Sequence, residues 1–222
     1  MFESSPAIII NKFALKEADL ILTLLSRDLG KLKAVSYGAR VASRRSAGSP
    51  DLLECAVFEL SPPRPSSELY VIRNISKKII WHTLREDITR FTLSTFCLEI
   101  CNLFSFEGEV ETAKFFNPLY HTLNNINKKE VNETQCFCVV IYFTLMILNL
   151  AGYNPTEYKN QLVNVKELDI KIWFSKMLDF NSPILFDNLE LIKNGFSFLV
   201  EFLEIVLNRR LKTAQELFNI LN

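Results

Sequence analysis

Lys31 to Arg45, KLKAVSYGARVASRR, places five cationic side chains in fifteen residues with no carboxylate among them. Its first half alternates. Leu32, Ala34 and Ser36 fall on one face of an extended chain, and Lys31, Lys33 and Val35 fall on the other, because successive strand residues point to opposite sides of a sheet. The spacing predicts a strand whose two lysines face solvent or a ligand. Its second half opens a connection of about thirteen residues, Ala39 to Asp51, that holds Arg40, Arg44, Arg45 and the turn signal Gly48-Ser49-Pro50. Connections of that length in a compact domain tend to carry function.

The neighbours of this stretch have the same character. AIIINKFA from Ala7, DLILTLLS from Asp19, LLECAVFEL from Leu52 and LYVIRNI from Leu69 are short runs rich in β-branched residues. The segments LKEA, RDLG and SPPRPSSE between them are turn-like. With KLKAVSYG they make five predicted strands between Ala7 and Ile75. Five short strands in one small domain suit a closed barrel, and the OB-fold is the five-stranded barrel that takes oligonucleotides on its sheet face and loops.

The period changes near Thr83. Thr83-Leu84-Arg85-Glu86 has the spacing of a capping box, and Leu93, Phe96, Cys97, Ile100 and Phe104 then recur at helical spacing, which predicts a helix of about twenty residues broken at Ser105 to Gly108. A second helical run carries Phe115, Phe116, Leu119 and Leu123, limited by Pro118. A third begins near Asn132 and stops at Gly152, followed by Pro155. Val165 to Leu178 is a further candidate helix, and Asn188 to Arg210 reads as a long amphipathic helix closing on cations. The expected fold is therefore α+β: an OB-fold nucleic-acid-binding domain over residues 1–80 and an all-α helical domain over residues 81–222.

Charge follows the same division. Residues 1–80 carry 12 Lys and Arg against 8 Asp and Glu, and the remainder carries 13 against 17, although the whole chain of 222 residues has a formal net charge of zero. Such asymmetry is expected of a nucleic-acid-binding module attached to something else. The most apolar run, Cys136 to Ala151, has sixteen residues, short of the roughly 20 that span a bilayer, so a helix buried within the protein is expected and no membrane association. Five cysteines, an odd number, and an amino terminus without a positively charged leader point to a reducing, cytoplasmic setting.

Catalysis finds little to work with. The two histidines, His82 and His121, lie in no recognisable constellation, and six glycines include no phosphate-cradling motif, so no catalytic residue and no cofactor is expected. Cys97 and Cys101 share one helix face, Cys136 and Cys138 do not, and all four sit in apolar stretches where cysteine acts as a small hydrophobe, as does Cys55 in its strand. No metal site is expected. What remains is the basic stretch. Most charge runs are merely solvated surface, but here Lys31, Lys33, Arg40, Arg44 and Arg45 fall on a barrel strand and its loop, with Tyr37 between them as a stacking platform. Cations supply sequence-independent phosphate affinity, and aromatic stacking adds about 1–3 kcal/mol per base.

Several of these residues, in this order, resemble a known family. Glu17-Ala18-Asp19-Leu20, Thr23-Leu24-Leu25, Gly30-Lys31-Leu32, Gly38-Ala39-Arg40 and Ser43-Arg44 are similar to the amino-terminal OB domain of RecO, the bacterial recombination mediator. Leu84-Arg85-Glu86-Asp87, Leu150-Ala151-Gly152-Tyr153-Asn154-Pro155 and Leu207-Asn208-Arg209-Arg210-Leu211-Lys212-Thr213 resemble later elements of that family, while residues 156–190 match nothing in it. The resemblance implies a non-enzymatic protein of DNA repair. Such a protein binds single- and double-stranded DNA, anneals complementary strands and, with RecR, promotes RecA loading onto DNA covered by single-strand-binding protein. Many members carry a four-cysteine zinc module after the Gly-Tyr-x-Pro element, and this chain has no cysteine beyond Cys138. A tail of single-strand-binding protein, acidic and apolar, needs an apolar groove edged by cations, for which Arg85, Arg90, Lys114, Arg209 and Arg210 are the candidates. The competing expectation is a protein-interaction adaptor whose barrel binds nucleic acid weakly.

Overall fold

A computed structural model describes residues 2–41, 49–65, 67–153 and 189–221. Five strands, β1 (Glu3–Leu15), β2 (Asp19–Ser26), β3 (Gly30–Ser36), β4 (Glu54–Ser61) and β5 (Tyr70–Ile80), close into a barrel in the order β1-β2-β3-β5-β4. β1 is long enough to serve two neighbours. Its first half pairs with β4, from Glu3 opposite Leu60 to Ile8 opposite Cys55, and its second half pairs with β2, from Ala7 opposite Ser26 to Leu15 opposite Asp19. A register shift between Ile9 and Asn11 accompanies this change of partner, as a bulge that bends a barrel strand does. The seam between β3 and β5 is parallel and short, with only Ala34 opposite Tyr70 and Val35 opposite Val71.

Alternation sorts each strand into an inner and an outer face. Ala7, Ile9, Leu22, Leu24, Leu32, Ala34, Phe58 and Leu60 fill the barrel and are buried. The five expected strands are all present. β5 runs past Ile75 to Ile80, with Lys77 in the left-handed region at φ 49° where its register against β4 shifts.

Among the described residues the helices are α1 (His82–Glu86), α2 (Ile88–Phe104), a 3-10 turn (Val110–Phe115), α3 (Phe116–Ile126), α4 (Glu133–Leu150), α5 (Leu189–Leu207) and α6 (Lys212–Leu221). The single helix expected from Thr83 is two. Asp87 interrupts it and its carboxylate accepts the Arg90 amide at 2.8 Å, so Asp87, not Thr83, caps the long helix. Pro118 falls in the first turn of α3, where its missing N–H has no helical partner to lose. α4 has the anticipated boundaries. Asn132 and Gln135 form a reciprocal capping box, and at the other end Gly152 takes φ 85° while the Tyr153 amide reaches the Leu148 carbonyl at 2.9 Å. α4 is long and apolar enough to cross a membrane, but ten of its residues, Phe137, Ile141, Phe143 and Leu148 among them, are buried against protein. The Val165 to Leu178 candidate lies outside the described residues.

The chain forms two compact units: residues 1–81 with 101–120, and residues 82–100 with 121–222. In the helical unit, Phe196 of α5 is the hub, with ring centroids 5.1 Å from Phe96 of α2, 5.6 Å from Phe137 of α4 and 6.2 Å from Phe218 of α6. Edge-on and tilted aromatic contacts at these distances add to plain apolar burial. The barrel unit includes residues 101–120 because β3 holds them, through Lys31.

Candidate nucleic-acid interface

Lys31 and Lys33 are two residues apart on the outer face of β3, as alternation requires, but they meet different surroundings. Lys31 is buried, which corrects the expectation that it faces solvent. Its ammonium donates to the carbonyl of Asn102 at 2.7 Å, one of the acceptors that α2 leaves unpaired at its carboxy-terminal end, and to that of Ser105, just past the helix, at 3.1 Å. A cation suits that end of the helix dipole. Burial pulls the Lys31 pKa down, and the nearby Glu107 carboxylate opposes the shift. The Lys31 backbone is also engaged: its amide donates to Thr112 Oγ1 at 2.9 Å and its carbonyl accepts from the Gly108 amide at 3.1 Å. Gly30 beside it has φ 70°, and a Cβ there would overlap the Glu109 carbonyl and come within 2.6 Å of Thr112 Oγ1. Only glycine lets the 101–112 segment lie this close on the strand.

Lys33 stays half-exposed and forms an ion pair with Glu107 at 2.8 Å. An exposed pair of this kind is worth little, on the order of 1 kcal/mol or less, so an incoming phosphate can displace the carboxylate. Beyond Lys33 the outer face carries an apolar row that runs from buried Val35 to exposed Phe13. Phe13, Ile21, Val35 and Val71 stand opposite one another across β1, β2, β3 and β5, and Phe13 is 52% exposed. Tyr37, just past β3, is 61% exposed. The turn that follows is tied to the β1–β2 turn, since the Gly38 amide donates to Asp19 Oδ1 at 2.7 Å and the Arg40 guanidinium to the Lys16 carbonyl at 2.9 Å. Arg40 is exposed there. Arg44 and Arg45 lie outside the described residues.

At this open end the barrel has a cleft of about 320 Å³, lined by Leu15, Val35, Tyr37, Arg64, Leu69 and Arg73 among others. Arg73 comes from β5 and its Nε donates to Ser61 Oγ at 2.7 Å, which fixes its guanidinium at the rim. Arg64 comes from the β4–β5 connection, where Pro62, Pro63 and Pro65 restrict the backbone around it. The cleft thus joins an exposed aromatic ring, an apolar floor and two arginines. Arg64, Arg73 and Phe13 were not singled out from the sequence. In the sequence the one signal for Arg64 is its place among the prolines of the SPPRPSSE turn.

The five candidate partner-binding cations are also dispersed. Arg90 spends its guanidinium on the backbone between α3 and α4, donating to the carbonyls of Ile126, Lys128 and Val131. Lys114 belongs to the barrel unit, exposed, with its ammonium 5.6 Å from the centre of the Phe115 ring. Arg85, Arg209 and Arg210 are exposed in the helical unit. All five cysteines are buried free thiols, with burial pushing Cys55 and Cys136 up to about 11 and Cys101 higher still. Among the described residues no three His, Cys, Asp or Glu side chains gather as metal ligands would.

A closed five-stranded barrel with β1 shared between two neighbours, a β3–β5 seam and a following set of helices defines an OB-fold protein with an appended helical unit. Residues 1–78 match the family model described as Recombination protein O N terminal. Similar curated proteins include DNA repair protein RecO of Alkaliphilus metalliredigens, 27% identical over 63% of this chain and 54% of that protein. Those of Desulfosudis oleivorans and Desulforudis audaxviator are 24% and 28% identical, over 68% and 67% of this chain and 57% and 56% of theirs. Over its first 78 residues the chain is similar to the amino-terminal domain of the RecO family, and over about two thirds of its length to these RecO proteins. Its match spans just over half the length of these relatives.

Proposed function

We propose that this chain is a non-catalytic, cytoplasmic DNA-binding protein of recombinational repair, and that the open end of its barrel is where DNA binds. The observation that carries this reading is the cleft in which Tyr37 stands beside Arg64 and Arg73, continuous with the sheet face that holds Lys33 and Phe13. Cations without a base-reading constellation give affinity that is tolerant of sequence, and exposed rings stack on any base. Single-stranded DNA fits best, because its bases are free to stack, and the cations also accept double-stranded DNA. Arg40, Arg44 and Arg45 extend the phosphate contacts along the connection after β3. Lys31 supports the site by holding the 101–112 segment against β3 beside Lys33.

A finer role is supported by similarity to proteins named DNA repair protein RecO. In it the chain anneals strands and, together with RecR, aids RecA at DNA coated by single-strand-binding protein. Arg85, Arg209 and Arg210 are then the exposed cations nominated for the tail of that protein. The adaptor reading draws on one observation of its own. Of the basic residues expected to face DNA, Lys31 is buried and Lys33 is paired with Glu107, which lowers the field available for phosphate.

Fluorescence anisotropy on a single-stranded oligonucleotide, titrated with salt, separates the two. Joint replacement of Lys33, Arg40, Arg64 and Arg73 by Ala should reduce the slope of log K against log salt by about 3, at roughly 0.7 per phosphate contact. Tyr37→Ala alone should cost about 1–3 kcal/mol with the slope unchanged. Binding that survives the fourfold replacement would eliminate this surface as the DNA site.

A further inference from the structure

From just past α2 into the start of the 3-10 turn the chain runs Phe106-Glu107-Gly108-Glu109-Val110-Glu111, and all six residues are exposed. Phe106 is 65% exposed and Val110 62%. Single exposed apolar side chains are ordinary, but these two stand four residues apart on a segment whose backbone is pinned to the barrel. Glu107 bridges to Lys31, the Gly108 amide donates to the Lys31 carbonyl at 3.1 Å, and the Thr112 hydroxyl donates to the Glu109 carbonyl at 2.7 Å. The Lys31 ammonium holds the Ser105 carbonyl just before the segment. The backbone is therefore ordered before any partner arrives, and docking it costs little further entropy.

Charge says what kind of partner fits. Three carboxylates, Glu107, Glu109 and Glu111, alternate with the apolar pair, and the only one of them in an ion pair is Glu107, with Lys33, among the described residues. Phosphate is repelled by such a rim. We propose that the Phe106–Glu111 turn is a protein-docking knob, and that its partner presents an apolar pocket edged by Lys or Arg side chains. Phe106 and Val110 fill the pocket, while Glu109 and Glu111 meet its cationic edge and steer the approach. The knob does not depend on DNA binding at the cleft.

Photo-crosslinking in cells tests this directly, with p-benzoylphenylalanine in place of Phe106 in the full chain. The crosslinked protein is then purified and its affinity for the unmodified chain measured across a salt series. A heterologous protein bound at a basic-edged apolar pocket is expected. Phe106→Ala with Val110→Ala should weaken that binding on the order of 30-fold or more, as loss of central apolar anchors does. Glu109→Gln with Glu111→Gln should flatten its salt dependence. Both double variants should keep the parent's thermal midpoint and its affinity for single-stranded DNA. No crosslink, a crosslink only to a second copy of the chain or to nucleic acid, or affinity unmoved by either double variant would each overturn the proposal.

Discussion

Lys31 and Lys33 differ by one strand period and by almost everything else. The pleat aims both outward, but the 101–112 segment covers the first and leaves the second beside Glu107. Lys31 is thus better described as a helix cap supplied by a barrel strand. Lys31→Met keeps the aliphatic stem and removes the donors, which leaves the Asn102 and Ser105 carbonyls short of a partner. Urea unfolding should show a loss of about 1–3 kcal/mol, with the salt slope for single-stranded DNA unchanged. A fall in that slope equal to the one from Lys33→Ala would mean that the Lys31 ammonium reaches phosphate after all. Nothing within the stretch Lys31 to Arg45 distinguishes the two lysines, because the residues that separate them lie some seventy positions further along. Strand faces are local information. What covers a face is not.

The elements that were legible in the chain are those fixed by their own composition. β1 to β5 alternate against a barrel interior, and α4 carries both its capping box and its terminal glycine. The misread elements depend on groups brought from elsewhere. The Asn208-Arg209-Arg210-Leu211 stretch looks like the cationic end of a helix, yet it is a turn: Asn208 takes φ 48° and α6 begins at Lys212. Glu99 of α2 makes that start possible, accepting the amides of Lys212 at 3.2 Å and Thr213 at 3.0 Å and the Thr213 hydroxyl. A carboxylate from another helix thus does what an N-cap residue and the helix dipole usually ask of a local one. Glu99→Ala should destabilise the protein by about 1–2 kcal/mol and speed hydrogen exchange at the Lys212 and Thr213 amides, while Glu99→Gln should recover part of both. Exchange at those amides that is indifferent to Glu99 would show that α6 starts without it. Arg90 plays the complementary part at the end of α3, which is why its charge is not free for a partner as its sequence position suggested.

At the scale of the molecule, the five cysteines report on both units, since Cys55 and Cys101 lie in one and Cys97, Cys136 and Cys138 in the other. All are buried, and a thiol reacts through its thiolate, which burial disfavours. Ellman's reagent at about pH 8 should therefore label the native protein slowly and label all five thiols once urea unfolds it. A thiol titrated at once without denaturant would locate a local opening. The β3–β5 seam has a consequence for how the barrel is made. β1, β2 and β3 are successive hairpin partners, and β4 with β5 is another hairpin, so both pieces assemble through short chain closures. Joining them at the seam must close the connection from Tyr37 to Leu53, and that cost grows only with the logarithm of loop length, about 0.6 kcal/mol per doubling. Lengthening the connection beyond Arg40, which is itself tied to the β1–β2 turn, is therefore inexpensive for folding, and homologous barrels can differ there in length while keeping the same five-strand closure.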